Sequence, residues 1–219
     1  MLFQVFKHLG GEKMTEPFKK ILLGLKNIIE NQSLAEGHLK IKDIASNELK
    51  VAIKGNKWSE INPFSSQLAK PFLDVMTKEN AIPICADILN FPFAWVPPKT
   101  SDDPLYTAHS HSKVHVELLG PQGIIKSKFV RLGLYGILPN SEYGIRTHPA
   151  EELFIMLAGQ AEWLRGAGKY ELKRAGEYSY HPSGMRHATK TTHSAFMSVY
   201  IWSGDISIDK YQYLGLPTQ

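Results

Sequence analysis

The sequence contains one cysteine, Cys85, among 219 residues, so no disulfide can form within the chain. A reducing compartment, the cytoplasm, is therefore the expected location. No apolar run approaches the length that spans a bilayer, and the opening stretch MLFQVFKHLGG lacks the small-residue cleavage signature of a secretory signal peptide. We interpret Cys85 as a small buried hydrophobe rather than a nucleophile, since it lies between Ile84 and Ala86.

An excess of charge of one sign is also missing. The 25 basic and 21 acidic side chains leave a net charge of +4, and the basic residues are spread along the chain without interleaved aromatics. That distribution does not resemble a nucleic-acid-binding surface, so we expect neither a nucleic acid nor a membrane among the partners. A hydrophobic content of 43% is typical of a globular protein that buries a core.

The first hundred residues carry helical periodicity and no catalytic constellation. Apolar residues recur at helical spacing over 15–31, with Thr15 as the predicted N-cap, and again over 41–52 and 65–79. We predict that residues 1–98 form a mostly helical segment that covers the rest of the protein. The same segment is the candidate surface for pairing two copies of the chain as a homodimer.

Strand periodicity replaces helical spacing after the proline-rich stretch 92–104. Five strand-like runs follow at short, turn-punctuated intervals: HVELLG, IKSKFVRLGLYGIL, ELFIMLAGQAEWL, YELKRAGEYSYH and SAFMSVYIW. This pattern favours an antiparallel sandwich or barrel over strands joined by crossover helices. Residues 99–219 are therefore predicted to form a β-barrel with the helical segment packed outside it.

The stretch 143–159, YGIRTHPAEELFIMLAG, combines metal-binding side chains with a strand pattern. His148 and Glu152 are close enough in sequence for one divalent metal to take an imidazole nitrogen and a carboxylate oxygen together. Because side chains alternate between the two faces of a strand, Glu152 shares a face with Phe154 and Met156. A carboxylate there is costly to bury unless it meets a cation. A metal would supply that cation. The opposite face of the same strand is wholly apolar: Leu153, Ile155 and Leu157.

A second stretch, 176–191, carries glycine, proline and histidine at fixed spacing. Together the two stretches resemble the paired motifs of the cupin superfamily, which are matched by His148, Glu152 and Gly159 and by Gly176, Pro182, Gly184 and His187. The chain departs from those motifs at Arg146, where a first histidine is usual, and at Thr191, where asparagine is usual. The resemblance implies a mainly β cupin barrel, that is, a double-stranded β-helix of the jelly-roll type.

Further matches indicate one family within this superfamily. Tyr143, His148, AEE at 150–152, GQAEW at 159–163, HPSGMRHA at 181–188 and YIWSGDI at 200–206 are similar to the cupin-type dimethylsulfoniopropionate (DMSP) lyases. The similarity extends from about residue 109 to residue 214. It implies an enzyme that cleaves DMSP into dimethyl sulfide and acrylate by β-elimination.

The implied ligand set is His148, Glu152 and His187, two histidines and one carboxylate, which leaves positions on a metal open for a substrate. We favour one bound divalent ion over a pair of satisfied core histidines, and the set does not select among Zn, Fe, Mn, Co and Ni. Arg146 cannot ligate, because a guanidinium stays protonated, and it is a candidate to hold the substrate carboxylate instead. Two more histidines are candidates for the missing ligand: His181 and His193.

Elimination requires a base that removes the proton α to the substrate carboxylate, and a tyrosinate near a metal could do so. The resemblance implies catalytic tyrosines at two positions. One of these holds Phe154, which has no proton to exchange, and the other holds Tyr143. Tyr143 is therefore the predicted base, with a pKa well below the free value of about 10. The alternative is a tyrosine that ends a turn beside Gly144.

The sulfonium of DMSP carries its charge on a small apolar group, which suits a cage of aromatic rings. Five aromatic residues near the motifs are candidates for substrate binding: Phe154, Trp163, Tyr180, Tyr200 and Trp202. The alternative for each of them is a position in the core of a small barrel.

Two other functions stay open at this point. Because Arg146 and Phe154 depart from the lyase pattern, one is another metal-dependent cupin enzyme, such as an isomerase or a dioxygenase. The other is a non-catalytic cupin that binds a small ligand.

Overall fold

The computed structural model describes residues 11–55 and 67–217, with side chains from residue 16 onward. In these ranges the helices are α1 (Gly11–Asn31), α2 (Leu39–Lys54), α3 (Lys70–Met76), α4 (Ile84–Leu89) and α5 (Pro104–Ala108), with a 3-10 turn at Glu36–His38. The strands are β1 (Lys113–Gly120), β2 (Ile125–Lys126), β3 (Val130–Ile137), β4 (Glu142–Thr147), β5 (Ala150–Arg165), β6 (Glu171–Arg174), β7 (Tyr178–His181), β8 (His187–Lys190), β9 (Phe196–Gly204) and β10 (Gln212–Gly215). None of the described helices is long and apolar enough to cross a membrane.

The predicted helices are present with different limits. Helix α1 begins at Gly11, so the N-cap prediction for Thr15 is wrong, because the apolar pattern begins only at Phe18 and cannot reveal a polar turn before it. Helix α2 confirms the second amphipathic stretch. The third predicted helix, 65–79, is the shorter α3, with Pro71 in its first turn, where proline is tolerated. Residues 65 and 66 of that prediction lie outside the described part of the chain.

Within the described ranges, ten strands form two sheets that share β5. The strand order is β10-β4-β8-β5-β9-β3-β1-β2, and β6 and β7 also pair with β5. The first half of β5 pairs with β7 and β9, and its second half pairs with β6 and β8. A bulge between Met156 and Ala158 separates the halves and carries β5 from one sheet into the other. All pairs except β1 with β2 are antiparallel, and the prediction of a mainly β cupin barrel is confirmed.

The two faces of β5 belong to two different cores. Leu153, Ile155 and Leu157 pack into a core that also contains the buried faces of α1, α2, α3 and α4. Phe154 and Met156 point into the barrel, where they meet a second core rich in aromatic side chains. The predicted alternation along β5 is thus confirmed.

Helices α1 to α4 cover one outer face of the barrel. Helix α2 contacts β3, β5 and β9, and helix α3 contacts β5 and β9. This packing agrees with the prediction that the helical segment covers the barrel. The division at residues 1–98 and 99–219 and the homodimer stay predictions.

Candidate active site

His148, Glu152 and His187 converge inside the barrel from three parts of the chain. Glu152 lies on β5, His187 is the first residue of β8, and His148 lies between β4 and β5. His187 Nε2 lies 2.9 Å from Glu152 Oε2, and His148 Nε2 lies 3.7 Å from the same oxygen. One potential ligand atom from each residue lies within 4.8 Å of the others, and all three side chains are buried. The three residues could hold a metal ion.

The hydrogen bonds of the two histidines fit a metal. His148 Nδ1 lies 3.1 Å from the carbonyl oxygen of Ala150, and His187 Nδ1 lies 2.8 Å from that of Met185. Because a carbonyl only accepts, each Nδ1 carries the proton and each Nε2 presents a lone pair. Both Nε2 atoms are buried, and neither forms a hydrogen bond with the described residues, because His187 Nε2 meets Glu152 Oε2 at 2.9 Å with a lone pair and not an N–H. Backbone carbonyls orient metal-binding imidazoles in this way, so the donor set suits a divalent cation.

Glu152 is held as a carboxylate. Burial raises its pKa, but the neighbouring histidines, led by His187, oppose burial and hold the pKa well below its usual value. Trp202 Nε1–H donates to Oε1 at 2.6 Å, and His181 Nδ1–H donates to Oε2 at 2.8 Å. Burial in turn lowers the pKa of His181, so His181 is a neutral donor to Glu152.

The two histidines proposed for the missing ligand lie in different places. His181 reaches the group through its hydrogen bond to Glu152, and its other ring nitrogen lies 2.9 Å from Ser179 Oγ. His193 is an exposed residue outside β8. The structure therefore brings His181 to the site as a partner of Glu152, and it does not bring His193 there.

Arg146 occupies the interior of β4 and is 1% exposed. Its guanidinium carbon lies 3.8 Å from the ring centroid of Tyr143, and its nitrogens donate to the Tyr143 carbonyl and to Thr189 Oγ1, each at 3.3 Å. No carboxylate in residues 16–55 or 67–217 forms a salt bridge with Arg146. A buried cation without a direct counter-ion is suited to bind an anionic ligand.

Tyr143 lies within β4, so it does not end a turn. Its hydroxyl lies 2.5 Å from that of Tyr211, and Lys113 Nζ lies 4.8 Å from its ring centroid. Burial, with smaller contributions from neighbouring tyrosines, holds the pKa of Tyr143 well above its usual value, and Arg146 opposes this only in part. The predicted lowering of the pKa is therefore not produced by the protein groups alone, because burial outweighs the guanidinium.

A cavity of about 520 Å³ leads from the surface to this site. Its inner wall contains Glu152 and five aromatic residues: Tyr135, Tyr143, Phe154, Tyr200 and Trp202. Three of the five predicted substrate-binding aromatics are thus on the cavity wall. Trp163 is buried behind Phe154, with ring centroids 4.6 Å apart.

The structure does not place Tyr180 on the wall of this cavity. It pairs with Leu153 in the β5–β7 ladder, so its side chain shares the outer face of the sheet. There its ring stacks on His38 with centroids 3.8 Å apart. The register of β7, which the sequence does not reveal, decides this placement.

Four residues of the site lie outside both motifs: Lys113, His115, Tyr135 and Tyr211. His115 Nε2 lies 2.7 Å from the Tyr200 hydroxyl, and burial lowers the pKa of His115 to about 4. Lys113 is almost fully buried, and burial lowers its pKa to about 7. Of these four residues, only Tyr135 could have been placed from the sequence. Strand alternation around it indicates which face of the strand it occupies, but it does not indicate a function.

Comparison with known proteins gives one family. A family model described as dimethylsulfoniopropionate lyase matches residues 86–198, slightly more than half of the chain. The dimethylsulfoniopropionate lyase DddQ of Ruegeria pomeroyi is 41% identical over 64 residues, which are 29% of this chain and 32% of DddQ. The match therefore spans about a third of the length of that relative.

Two solved structures share the fold over nearly the whole chain. The crystal structure of the DMSP lyase DddQ from Ruegeria pomeroyi has a TM-score of 0.62 at 18% identity and covers 93% of this chain and 99% of its own. A chain from the crystal structures of the DMSP lyases RdDddP and RnDddQII has a TM-score of 0.60 at 16% identity, with 94% and 100% covered. At sequence identities this low, the similarity to these two structures shows a shared fold and nothing further.

Proposed function

Because the chain belongs to the dimethylsulfoniopropionate lyase family, we propose that it cleaves DMSP into dimethyl sulfide and acrylate with one bound divalent metal ion. The observation that carries the proposal is the buried group of His148, Glu152 and His187. Glu152 lines the cavity, and two imidazole nitrogens that have no hydrogen-bond partner among the described residues face its carboxylate. Such a group has open coordination positions for a small carboxylate.

The proposed reaction is a β-elimination. A base removes the proton from the carbon α to the carboxylate, the C–H electron pair forms the double bond of acrylate, and the C–S bond breaks with its electrons leaving on sulfur. A metal in the His148–Glu152–His187 group would stabilise the negative charge that develops on the substrate carboxylate. Binding, orientation and proton transfer come from the other residues of the cavity.

Tyr143 is the proposed base. Its ring contacts the Arg146 guanidinium at 3.8 Å and lies 4.8 Å from Lys113 Nζ, and cations near the ring favour tyrosinate over phenol. A hydrogen bond from the Tyr211 hydroxyl, 2.5 Å away, would also stabilise the tyrosinate. A metal ion is the further positive charge needed to offset burial. Arg146 is the proposed partner of the substrate carboxylate.

Phe154, Tyr200 and Trp202 are the proposed wall for the sulfonium group. All three line the cavity, and their π-faces attract a cation that carries apolar methyl groups. Trp163 supports this wall from behind Phe154. A sulfonium held there lies apart from the two basic side chains on the Tyr143 ring.

The test is a headspace assay for dimethyl sulfide on purified, metal-analysed protein incubated with DMSP. We expect dimethyl sulfide and acrylate in equal amounts. A metallated protein that releases neither product would instead support another metal-dependent cupin enzyme, an alternative that Arg146 and Phe154 favour. A protein that holds no metal and releases nothing would support a non-catalytic ligand-binding cupin.

The metal is tested separately through its ligands. His187→Ala should lose the bound metal, because one of its three ligands is removed. The variant should stay folded. His193→Ala is the matched control, since His193 is exposed outside the site, and it should keep the parental metal content. Full occupancy in His187→Ala would show that the ligand set is wrong.

A further inference from the structure

The hydroxyl of Tyr135 is a buried donor that has no partner among residues 16–55 and 67–217. Tyr135 lies on β3 and is 5% exposed, and its hydroxyl makes no hydrogen bond to the described part of the chain. Other interior tyrosine hydroxyls are partnered, Tyr143 with Tyr211 at 2.5 Å and Tyr200 with His115 at 2.7 Å. Among the buried tyrosine hydroxyls of the described residues, only that of Tyr135 has no partner.

Strand register places Tyr135 on the wall of the active-site cavity. It pairs with Ser198 of β9, which pairs with Met156 of β5, so its side chain shares the inner face with Glu152 and Phe154. Its ring stacks on Tyr143 at 5.9 Å and meets the Phe154 ring edge-on at 5.8 Å. Phe154 itself contributes no hydroxyl to this wall.

The surroundings keep Tyr135 protonated and give it a cationic neighbour. Burial, with a smaller contribution from Tyr106, holds the pKa of Tyr135 well above its usual value, and Arg146 opposes this in part. The group is therefore an O–H donor at neutral pH and not a base. Arg146 and Tyr135 both contact the ring of Tyr143, so a cation and an unpaired donor flank one side chain.

We propose that the Tyr135 hydroxyl donates a hydrogen bond to a carboxylate oxygen of the ligand, and that Tyr135 with Arg146 forms a small-carboxylate site. The identity of the substrate rests on the proposed function, but the ligand class follows from these two side chains. In an elimination, negative charge grows on the carboxylate oxygens as the α proton leaves, so a preorganised donor there stabilises the transition state more than the ground state. Tyr135 and Tyr143 would then have opposite roles, a donor that stays protonated and a base that ionises.

The experiment compares Tyr135→Phe with Tyr178→Phe in the full chain. Tyr178 is a matched control because it packs with the outer core, away from the cavity, and its hydroxyl accepts a hydrogen bond from the Ala35 amide. Calorimetry measures the binding of propionate, a carboxylate without a sulfonium, and of trimethylsulfonium, a sulfonium without a carboxylate. Tyr135→Phe should weaken propionate binding by about 10-fold or more, as for a lost hydrogen bond to a charged group, and leave trimethylsulfonium binding unchanged.

Two results overturn the inference: propionate binding in Tyr135→Phe as tight as in the parent, or a parent that binds no propionate. Thermal unfolding gives an independent check. Since the hydroxyl has no partner in the described structure, its removal should not lower the melting temperature. A clear decrease would mean that the hydroxyl serves the fold and would also overturn the inference. A parent that binds propionate through Tyr135 but releases no dimethyl sulfide would contradict the proposed function alone.

Discussion

Lys113 and Arg146 are two buried basic side chains next to the ring of Tyr143, and no described carboxylate forms a salt bridge with either. The neighbouring carboxylate, Glu152, accepts from His181 and Trp202. A divalent ion at the ligand group would, together with Arg146, leave this region positive even where Lys113 is neutral. The carboxylate of a zwitterion such as DMSP would therefore point inward, and its sulfonium would lie against the aromatic wall.

Substituting Tyr143→Phe tests the proposed base. Turnover of DMSP should fall by a factor of about 10²–10⁴, as for a lost general base, with metal content unchanged. Restoring a hydroxyl with Phe154→Tyr in that variant should recover part of the loss. Tyr170→Phe is a control, because the Tyr170 hydroxyl donates to Glu142 and not to the cavity. Near-normal turnover in Tyr143→Phe would place the base elsewhere.

The titration of the Lys113 side chain makes the stability of the protein depend on pH. Burial lowers its pKa from 10.5 to about 7, and Arg146 adds to the lowering. Between about pH 7 and pH 10 the unfolded chain therefore holds a proton that the folded chain has released, so the free energy of unfolding rises with pH in this window. Lys113→Met should be more stable than the parent near pH 7 and show a flatter rise toward pH 10.

Urea unfolding at several pH values measures this difference. Lys40→Met, at an exposed position of α2, should keep the parental pH dependence. An unchanged slope in Lys113→Met would show that Lys113 is not the titrating group.

The spacing of the two motifs predicted the ligand group, because the residues of each motif lie close together in the sequence. His148 and Glu152 are four residues apart, and His187 lies in the second motif. Lys113 and Tyr135 reach the Tyr143 ring only through the pairing of β1 with β3 and of β3 with β9. That pairing is a long-range contact, so no local pattern reveals it.

At the scale of elements, alternation predicted β3, β5 and β9, which line the site, but it missed three shorter strands. Strands β4, β8 and β10 were not predicted. The inner face of β4 carries Arg146 and Tyr143, and β8 begins with the ligand candidate His187. Because these inward residues are polar, the contrast between the faces of a strand is lost. Polar inward residues therefore weaken the alternation that would have identified β4 and β8.

The turn of β5 from one sheet into the other depends on Gly159, which has φ +71°. A Cβ built there would overlap the carbonyl oxygen of Ala195. Gly166 also has a positive φ, +57°, but no atom lies within 4 Å of its Cβ position. Gly166→Ala should therefore cost only the backbone strain, about 1–2 kcal/mol of unfolding free energy.

Gly159→Ala should cost clearly more, because the clash adds to the same strain. Denaturant unfolding of the two variants and the parent measures the difference. Equal losses would mean that the Ala195 segment moves away without cost and that close packing at Gly159 does not fix the turn.

For the whole molecule, the helices and the barrel share one apolar core. The buried residues of α1 to α4 and the outer face of β5 and β9 form a single cluster, whereas the active-site cavity belongs to the other core. A cover that shares its core with the sheet should unfold together with it. The barrel holding the proposed ligand group would then depend on helices that contribute no residue to that group.

Leu49→Ala on α2 tests this coupling. Leu49 is fully buried in the shared core, so truncation should cost about 2–5 kcal/mol. If the chain is one cooperative unit, hydrogen exchange of the β5 amides should show the same loss of protection as global unfolding by denaturant. Val51→Ala on the same helix is the control, since Val51 is 67% exposed and its truncation should change little. Unchanged β5 protection in a destabilised Leu49→Ala protein would mean that residues 1–98 and 99–219 unfold as separate units.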